Sequence, residues 1–397
     1  MKRYDVVVIG LGIMGSATVW NLAKHGARVL GLEAGGPTHC NGSSHGATRI
    51  FRRAYWEGSA YLPLLQLAHE GWTQLQSSCP RPLIIPTGGV FIGPRDTGVV
   101  MGSLRTARDG GVPHEQWDAA AVRARLPQFR VEEHMHAAYE PGAYAIAAES
   151  ARLHMLNEAV SAGVELMYGD AAQALTSSSH HVTVTTRSGR QIEAGAATVT
   201  AGPWIPRHLL PELALHLVPK RVPIYWFAPK PGREAQFQKD RFPIFLYECT
   251  DGSLLYGIPA GASEEQGVKI GFHNRQQLAC DVETAAPAIS AEMRGLISKY
   301  VSSILPDLIA EPVDEKWCIY TMSPDESFLM GESERQAGVF YASACSGHGF
   351  KFAPGIGNAL ASMALRQAPA VDVAHFLATR LGSGEPAIIG ARHFSAG

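Results

Sequence analysis

The sequence predicts an α/β chain: a parallel, helix-covered domain into which an antiparallel-sheet domain is inserted. Three observations predict it. Tyr4-Asp5-Val6-Val7-Val8-Ile9 runs directly into Gly10-Leu11-Gly12-Ile13-Met14-Gly15, which reads as a strand, a glycine turn and a helix start. Between about 217 and 275, apolar and polar residues alternate and aromatics are frequent, as in Val222-Pro223-Ile224-Tyr225-Trp226-Phe227 and Ser253-Leu254-Leu255-Tyr256-Gly257; such alternation marks a sheet with two different faces. Residues 338–343 then read as a strand and 354–366 as a helix, returning the chain to the first domain.

Taken in order, residues 4–9 form a short β-branched apolar run, as a parallel strand buried on both faces requires. Residues 13–25 read as a helix closed by Gly26, and 28–33 as a second strand ending in Glu33. This βαβ unit is Rossmann-like. Gly10 permits the tight turn, Gly12 lets backbone approach a pyrophosphate, and Gly15 lets helix and strand pack closely. The helix opening at Ile13 and Met14 aims free N–H groups at phosphate. Glu33 lies about twenty residues on, where a carboxylate accepts both ribose hydroxyls. No arginine follows it closely, which disfavours a 2′-phosphate. The motif by itself does not separate FAD from NAD. Residues 36–48 read as a Gly/Ser/His-rich loop, 61 to about 76 as a helix, 87–93 as a strand in different surroundings, 148–163 as a helix, and 164–168, 181–186 and 196–200 as strands. The expected division places 1–85, 146–215 and 320–397 in the cofactor domain and 86–145 and 216–319 in the substrate domain.

The 397 residues exceed what one compact core holds. A net charge of −2 with 18% charged residues points to neither nucleic acid nor an acidic membrane as partner. No apolar run reaches the roughly 18 residues of a membrane span. The start, Met1-Lys2-Arg3 before an apolar stretch, imitates a signal peptide, but Asp5 interrupts it. Cys40, Cys79, Cys249, Cys280, Cys318 and Cys345 show no metal-finger spacing and no disulfide framework; the plain reading is a cytoplasmic protein with free thiols. No metal site is expected.

Two clusters carry candidate chemistry. Thr48-Arg49-Ile50-Phe51-Arg52-Arg53 places three arginines within five positions. In an extended segment Arg49 and Arg53 share a face and Arg52 points away; in a helical turn all three gather. Arginine suits bidentate capture of a carboxylate, and a solvated charge run is the plain alternative. In Ser346-Gly347-His348-Gly349-Phe350-Lys351-Phe352, a lysine at a helix start opposes the helix dipole. Such local conflicts often have a reason at a site; a surface lysine beside a satisfied histidine is the alternative.

Together with Asn41-Gly42-Ser43-Ser44-His45-Gly46-Ala47-Thr48-Arg49, Trp317-Cys318-Ile319-Tyr320-Thr321, Tyr256-Gly257-Ile258-Pro259 and Lys269-Ile270-Gly271-Phe272-His273, these strings resemble the monomeric sarcosine oxidase and N-methyltryptophan oxidase family, in order and over nearly the whole chain. The resemblance implies a fold like those of glutathione reductase and D-amino-acid oxidase, and FAD attached through the sulfur of Cys318. It implies an oxidase of a secondary amino acid that uses O2 and releases H2O2. It matches Arg52 and Lys351 to the groups that hold the substrate carboxylate and Lys269 to the lysine that promotes O2 reduction, with Arg49 beside it. Tyr256, His273 and His348 match residues that shape amine binding, Leu246 and Tyr320 fall in the substrate pocket, and Ser44, Thr48 and Gly349 fall on the cofactor side. It also implies a monomer, with a small amino acid and O2 as its only partners.

The chain departs from the family at several points. Ala47 stands where many members have an acid. The stretch from Tyr256 to Lys269 is two residues longer than in the sarcosine oxidases, and Cys345 replaces a larger apolar residue. Ser323-Pro324-Asp325-Glu326 resembles the methyltryptophan branch. These differences count against sarcosine itself and leave the secondary-amine class intact. A larger cyclic or aromatic amine of secondary metabolism, oxidised by an imine-forming oxidase or dehydrogenase, is the alternative. A flavin-binding module without turnover is the alternative from another class.

Overall fold

The computed structural model describes residues 3–178 and 181–382. The expected tail of the cofactor domain, 383–397, and the signal-like Met1-Lys2 lie outside the described residues.

The chain begins as expected. Strand β1 (Tyr4–Ile9) leads through the glycine turn into helix α1 (Ile13–Lys24) and returns as strand β2 (Val29–Glu33), parallel to β1 with Val6 opposite Val29. These strands lie inside an eight-stranded sheet. Beyond β2 lies Glu165–Tyr168, and on the other side of β1 lies Gln191–Val199. That strand is longer than the 196–200 expected from sequence, because its two halves have different neighbours. Val182–Thr186 pairs antiparallel with its first half, and Val339–Ser343 pairs parallel with its second half.

The apolar run of β1 is explained by burial on both faces. Val6 and Val8 enter a core with α1, α2 (Leu62–Ser78), Ala148–Ser161 and Ala353–Ala364, whereas Val7 and Ile9 enter a second core with Leu30, Leu32, Val182 and Leu329. An added Cβ on Gly15 would lie 1.8 Å from the Gly10 carbonyl oxygen, and Gly10 itself has φ +88°. Turn and helix therefore approach as closely as the motif requires.

The second sheet has nine strands. Val218–Phe227, Ile244–Glu248, Leu254–Ile258 and Val268–Phe272 come from the region read as antiparallel. One pair departs from that reading, since Ile244–Glu248 runs parallel to Gly89–Pro94. Period-two alternation divides this sheet's residues. Tyr225, Phe227, Phe245, Tyr247, Leu255, Val268, Ile270 and Phe272 enter an aromatic core closed by helix Ala291–Ile304, which the sequence reading did not find. Their neighbours Ile224, Leu246, Leu254, Tyr256, Ile258 and Lys269 face a cavity instead.

Asp314–Met322, also missed, pairs with Val218–Phe227 along its length and crosses the expected boundary at 319/320. A small third sheet joins strand β3 (Thr48–Phe51) to Tyr144–Ala147 and Ile84–Pro86. The sequence reading had not assigned β3, because four residues are too short for periodicity to register.

Helix Ala353–Ala364 crosses α1 closely: an added Cβ on Gly357 would lie 2.5 Å from the Ala17 carbonyl carbon. Gly357→Ala is therefore expected to cost about 1–3 kcal/mol by overpacking. The urea-unfolding midpoint measures this, and an unchanged midpoint would mean that the two helices separate freely.

Candidate functional site

A continuous cavity of about 720 Å³ runs from the glycine turn to the second sheet. Every site residue read from the sequence lines it except Gly15, whose part is the close packing described above.

At the turn end, Gly10, Gly12, Ile13 and Met14 line the wall. Ile13 N–H donates to Ser44 Oγ at 2.9 Å, tying the Gly/Ser/His loop to the start of α1. Glu33 Oε2 accepts from Leu11 N–H at 2.8 Å, and Oε1 accepts from Gly35 N–H at 3.0 Å. His39 Nε2 lies 3.2 Å from Oε1. Burial alone would raise the Glu33 pKa, but these hydrogen bonds, led by His39, hold it below the usual range. His39 and the buried Arg152, which donates to Leu11 O at 3.2 Å, were not found in the sequence because nothing local marks them.

At the sheet end, five elements converge. The strand pair Leu254–Ile258 and Val268–Phe272 presents Tyr256 and Lys269; Asp314–Met322 presents Cys318 and Tyr320; β3 presents Arg49; and the turn before Ala353–Ala364 presents His348 and Lys351. The arginine cluster resolves differently from either local reading. Arg49 and Arg52 share the cavity and Arg53 does not line it. The strand ends at Phe51, and the bend is held by the fully buried Glu140, whose carboxylate accepts from the backbone N–H of Arg53 (3.0 Å) and Ala54 (2.9 Å). Glu140 thus sets the direction of Arg52, a role with no sequence signal.

Arg52 is 3% exposed; its Nη2 donates to both Glu57 carboxylate oxygens at 2.6 and 2.7 Å, and its Nη1 donates to Ala54 O. Burial would raise the Glu57 pKa, yet the charge of Arg52 foremost, and that of Lys351, bring it down to about 2. Lys351 Nζ donates to His348 O at 2.6 Å. Burial, then the charge of Arg52, lowers its pKa to about 7. Lys269 Nζ donates to Thr48 O at 3.0 Å, and burial followed by the charge of Arg49 brings it to about 7 as well. Arg49 is committed to the backbone carbonyls of Ser43, His45 and Thr48.

The histidines stay neutral. Burial drives His273 down to about 4 and His348 to about 3. His348 Nε2 meets Glu326 O at 2.9 Å, so Nε2 carries the proton and Nδ1 accepts from the Tyr55 hydroxyl. With both nitrogens engaged, His348 shapes the wall rather than moving protons. Burial also raises Tyr256 to about 12, and its hydroxyl is bonded to Tyr320.

The residues fit a flavin dinucleotide. Cys318, 4% exposed, lies in the wall of the same cavity that the glycine turn opens. Thr321 Oγ1 and Ser343 Oγ are buried in residues lining that cavity and have no hydrogen-bond partner. The family described as FAD dependent oxidoreductase matches residues 5–363. The chain belongs to that family. Within it, the chain is 34% identical over 381 residues to a monomeric sarcosine oxidase of Streptomyces avermitilis, covering 96% of this chain and 98% of that protein. It is 32% identical to an N-methyl-L-tryptophan oxidase of Salmonella agona, covering 95% and 99%. Among solved structures, NikD, an amino acid oxidase essential for nikkomycin biosynthesis, superposes with a TM-score of 0.80 at 24% identity, covering 95% of this chain and 98% of that one. Glycine oxidase from Geobacillus kaustophilus gives a TM-score of 0.76 at 21% identity, covering 96% and 99%. At these identities the two structures support the fold, and this family member is an FAD-dependent oxidoreductase. Among the described residues, no helix is long and apolar enough to cross a membrane, and no cluster of potential metal ligands occurs.

Lys351 is the cation here whose charge changes next to Arg52. Below about pH 7 it is protonated, so affinity for a carboxylate is expected to be greatest there and to fall as pH rises through its pKa. A bound anion raises that pKa and moves the fall upward. The Kd of acetate measured from about pH 6 to pH 9 tests this, and Lys351→Met is expected to flatten the profile.

Proposed function

We propose that the protein is an oxidase of a secondary amino acid, converting the amine to an imine and reducing O2 to H2O2, with FAD attached through Cys318. The observation that carries this reading is the convergence of Cys318, Lys269, Arg52 and Lys351 on the cavity opened by the Gly10 turn. The sarcosine and N-methyl-L-tryptophan oxidases among its relatives support it.

FAD, when bound, supplies the acceptor for a hydride equivalent from the amine carbon and passes the electrons to O2. The chain's own residues do the rest. Arg52 and Lys351 hold the carboxylate, which orients the amine; positioning of this kind is worth several kcal/mol, up to about 7–11. A substrate carboxylate competes with Glu57 for Arg52 Nη2. The neighbouring cations favour the unprotonated amine, the form with a free lone pair. Lys269 lines the cavity, its Nζ 5.7 Å from the Trp226 ring, where a positive charge stabilises negative charge developing on oxygen.

Anaerobic addition of secondary amino acids should bleach the yellow protein, and air should restore the colour with formation of H2O2. Return of colour only with an artificial acceptor would make the protein a dehydrogenase. Lys269→Met is expected to slow reoxidation by O2 by about 10²-fold or more while leaving anaerobic reduction nearly intact; equal reoxidation rates would remove that role. After denaturation the flavin should remain with the wild-type chain and separate from Cys318→Ala.

A further inference from the structure

Resting on that reading of the cavity, we infer that Trp56 is a specificity-determining residue. It closes an apolar box beside the carboxylate anchor and selects secondary amino acids that bear an uncharged, ring-sized apolar group over those bearing only methyl.

Trp56 lines the cavity and immediately precedes Glu57, the partner of Arg52. A substrate held by Arg52 therefore meets Trp56 with the substituents on its Cα or nitrogen. The indole stands edge-on to His273, with ring centroids 6.4 Å apart at 83°. Trp56 and Tyr256 pack against one apolar cluster that includes Leu246, Leu254 and Phe91. Leu246, Leu254, Tyr256, His273 and Trp56 thus enclose a space whose walls carry no charge, because burial holds His273 neutral and Tyr256 protonated. The charges that act on His273 are Glu57, Arg52 and Lys351, those of the carboxylate anchor, and Arg49 acts on Tyr256. A charged substituent in the box would be desolvated without a partner, whereas an apolar one exchanges water for Leu and Trp surface.

The wall is fixed rather than loose. A Cβ on Gly102 would lie 2.9 Å from the Trp56 carbonyl oxygen and 3.1 Å from the Trp56 Cβ, so the helix Gly98–Asp109 receives the Trp56 backbone through a glycine. Gly98 likewise lies open beneath the indole, its added Cβ 3.9 Å from Cε3.

The test compares N-methylphenylalanine with sarcosine. A single methylene in an apolar pocket is worth roughly 10–200-fold, so wild-type kcat/KM is expected to favour N-methylphenylalanine by at least about tenfold. Trp56→Ala should lower that value by about tenfold or more through KM, with sarcosine changed by less than about threefold, and Trp56→Phe should restore most of it. Equal losses on both substrates, or a wild-type preference for sarcosine, would overturn the inference. Leu254→Ala, which opens the box at another of its lining residues, gives the same comparison if Trp56→Ala fails to fold. Non-oxidisable phenylacetate and acetate separate this inference from the oxidase reading. If no amine reduces the flavin, the oxidase reading falls. Tighter binding of phenylacetate, lost in Trp56→Ala, would still establish the box, and indifference to the phenyl group would remove it.

Discussion

Three cations, Arg52, Lys269 and Lys351, are 3, 4 and 5% exposed within one cavity, and the surrounding structure is organised around keeping them there. Burying an ammonium or guanidinium group without partners is strongly unfavourable. Each has a different remedy. Arg52 takes an internal carboxylate, Glu57, and the faces of Tyr55 and Phe91 at 4.6 and 5.6 Å. Lys351 takes a backbone carbonyl and the Tyr55 ring at 5.1 Å. Lys269 takes the Thr48 carbonyl and the Trp226 ring at 5.7 Å. The lysines, with no carboxylate bonded to them, yield part of their charge. The site therefore holds cations close to their titration point, where a bound anion changes their protonation most.

That arrangement depends on the second sheet having two unlike faces. On Val268–Phe272, Val268, Ile270 and Phe272 anchor the strand in an aromatic core, which leaves Lys269 to project from the opposite face. Leu254–Ile258 and Ile244–Glu248 repeat the device with Tyr256 and Leu246. A slip of one residue in any of these strands would exchange a cavity-facing side chain for one that now faces the core. The aromatic core is thus what positions the chemistry above it.

Legibility in the sequence followed the range of the interactions. The turn at Gly10 to Gly15 and the acid at Glu33 are one local unit, and their spacing announced them. Alternation between 217 and 275 announced the sheet but not its parallel pair, since direction is not encoded in a strand's own pattern. The positions of Cys318 and Lys269 emerged only from resemblance, because alone they read as a buried thiol and a strand lysine. Arg52 was found, but not its grouping with Arg49 to the exclusion of Arg53, because the bend depends on Glu140, 87 positions beyond Arg53. Glu57 and Trp56 lie in a segment with no periodicity, and their meaning comes from the elements that fold over them.

Strand Gln191–Val199 carries a further consequence. Its first half pairs with the hairpin strand just before it in the chain, and its second half pairs with Val339–Ser343. During synthesis the early strands can associate with one another, but the parallel sheet remains open along one flank until well over a hundred further residues have emerged. Helix Ala353–Ala364, which covers α1, arrives later still. Pairings so distant along the chain close slowly, and an unpaired strand flank is prone to association with other chains meanwhile. Of the second sheet, the strands between Val218 and Met322 are made during that interval, and they pair with one another and with Gly89–Pro94, which is made before it. The order of synthesis thus builds the substrate-facing wall before the cofactor half can shut against it.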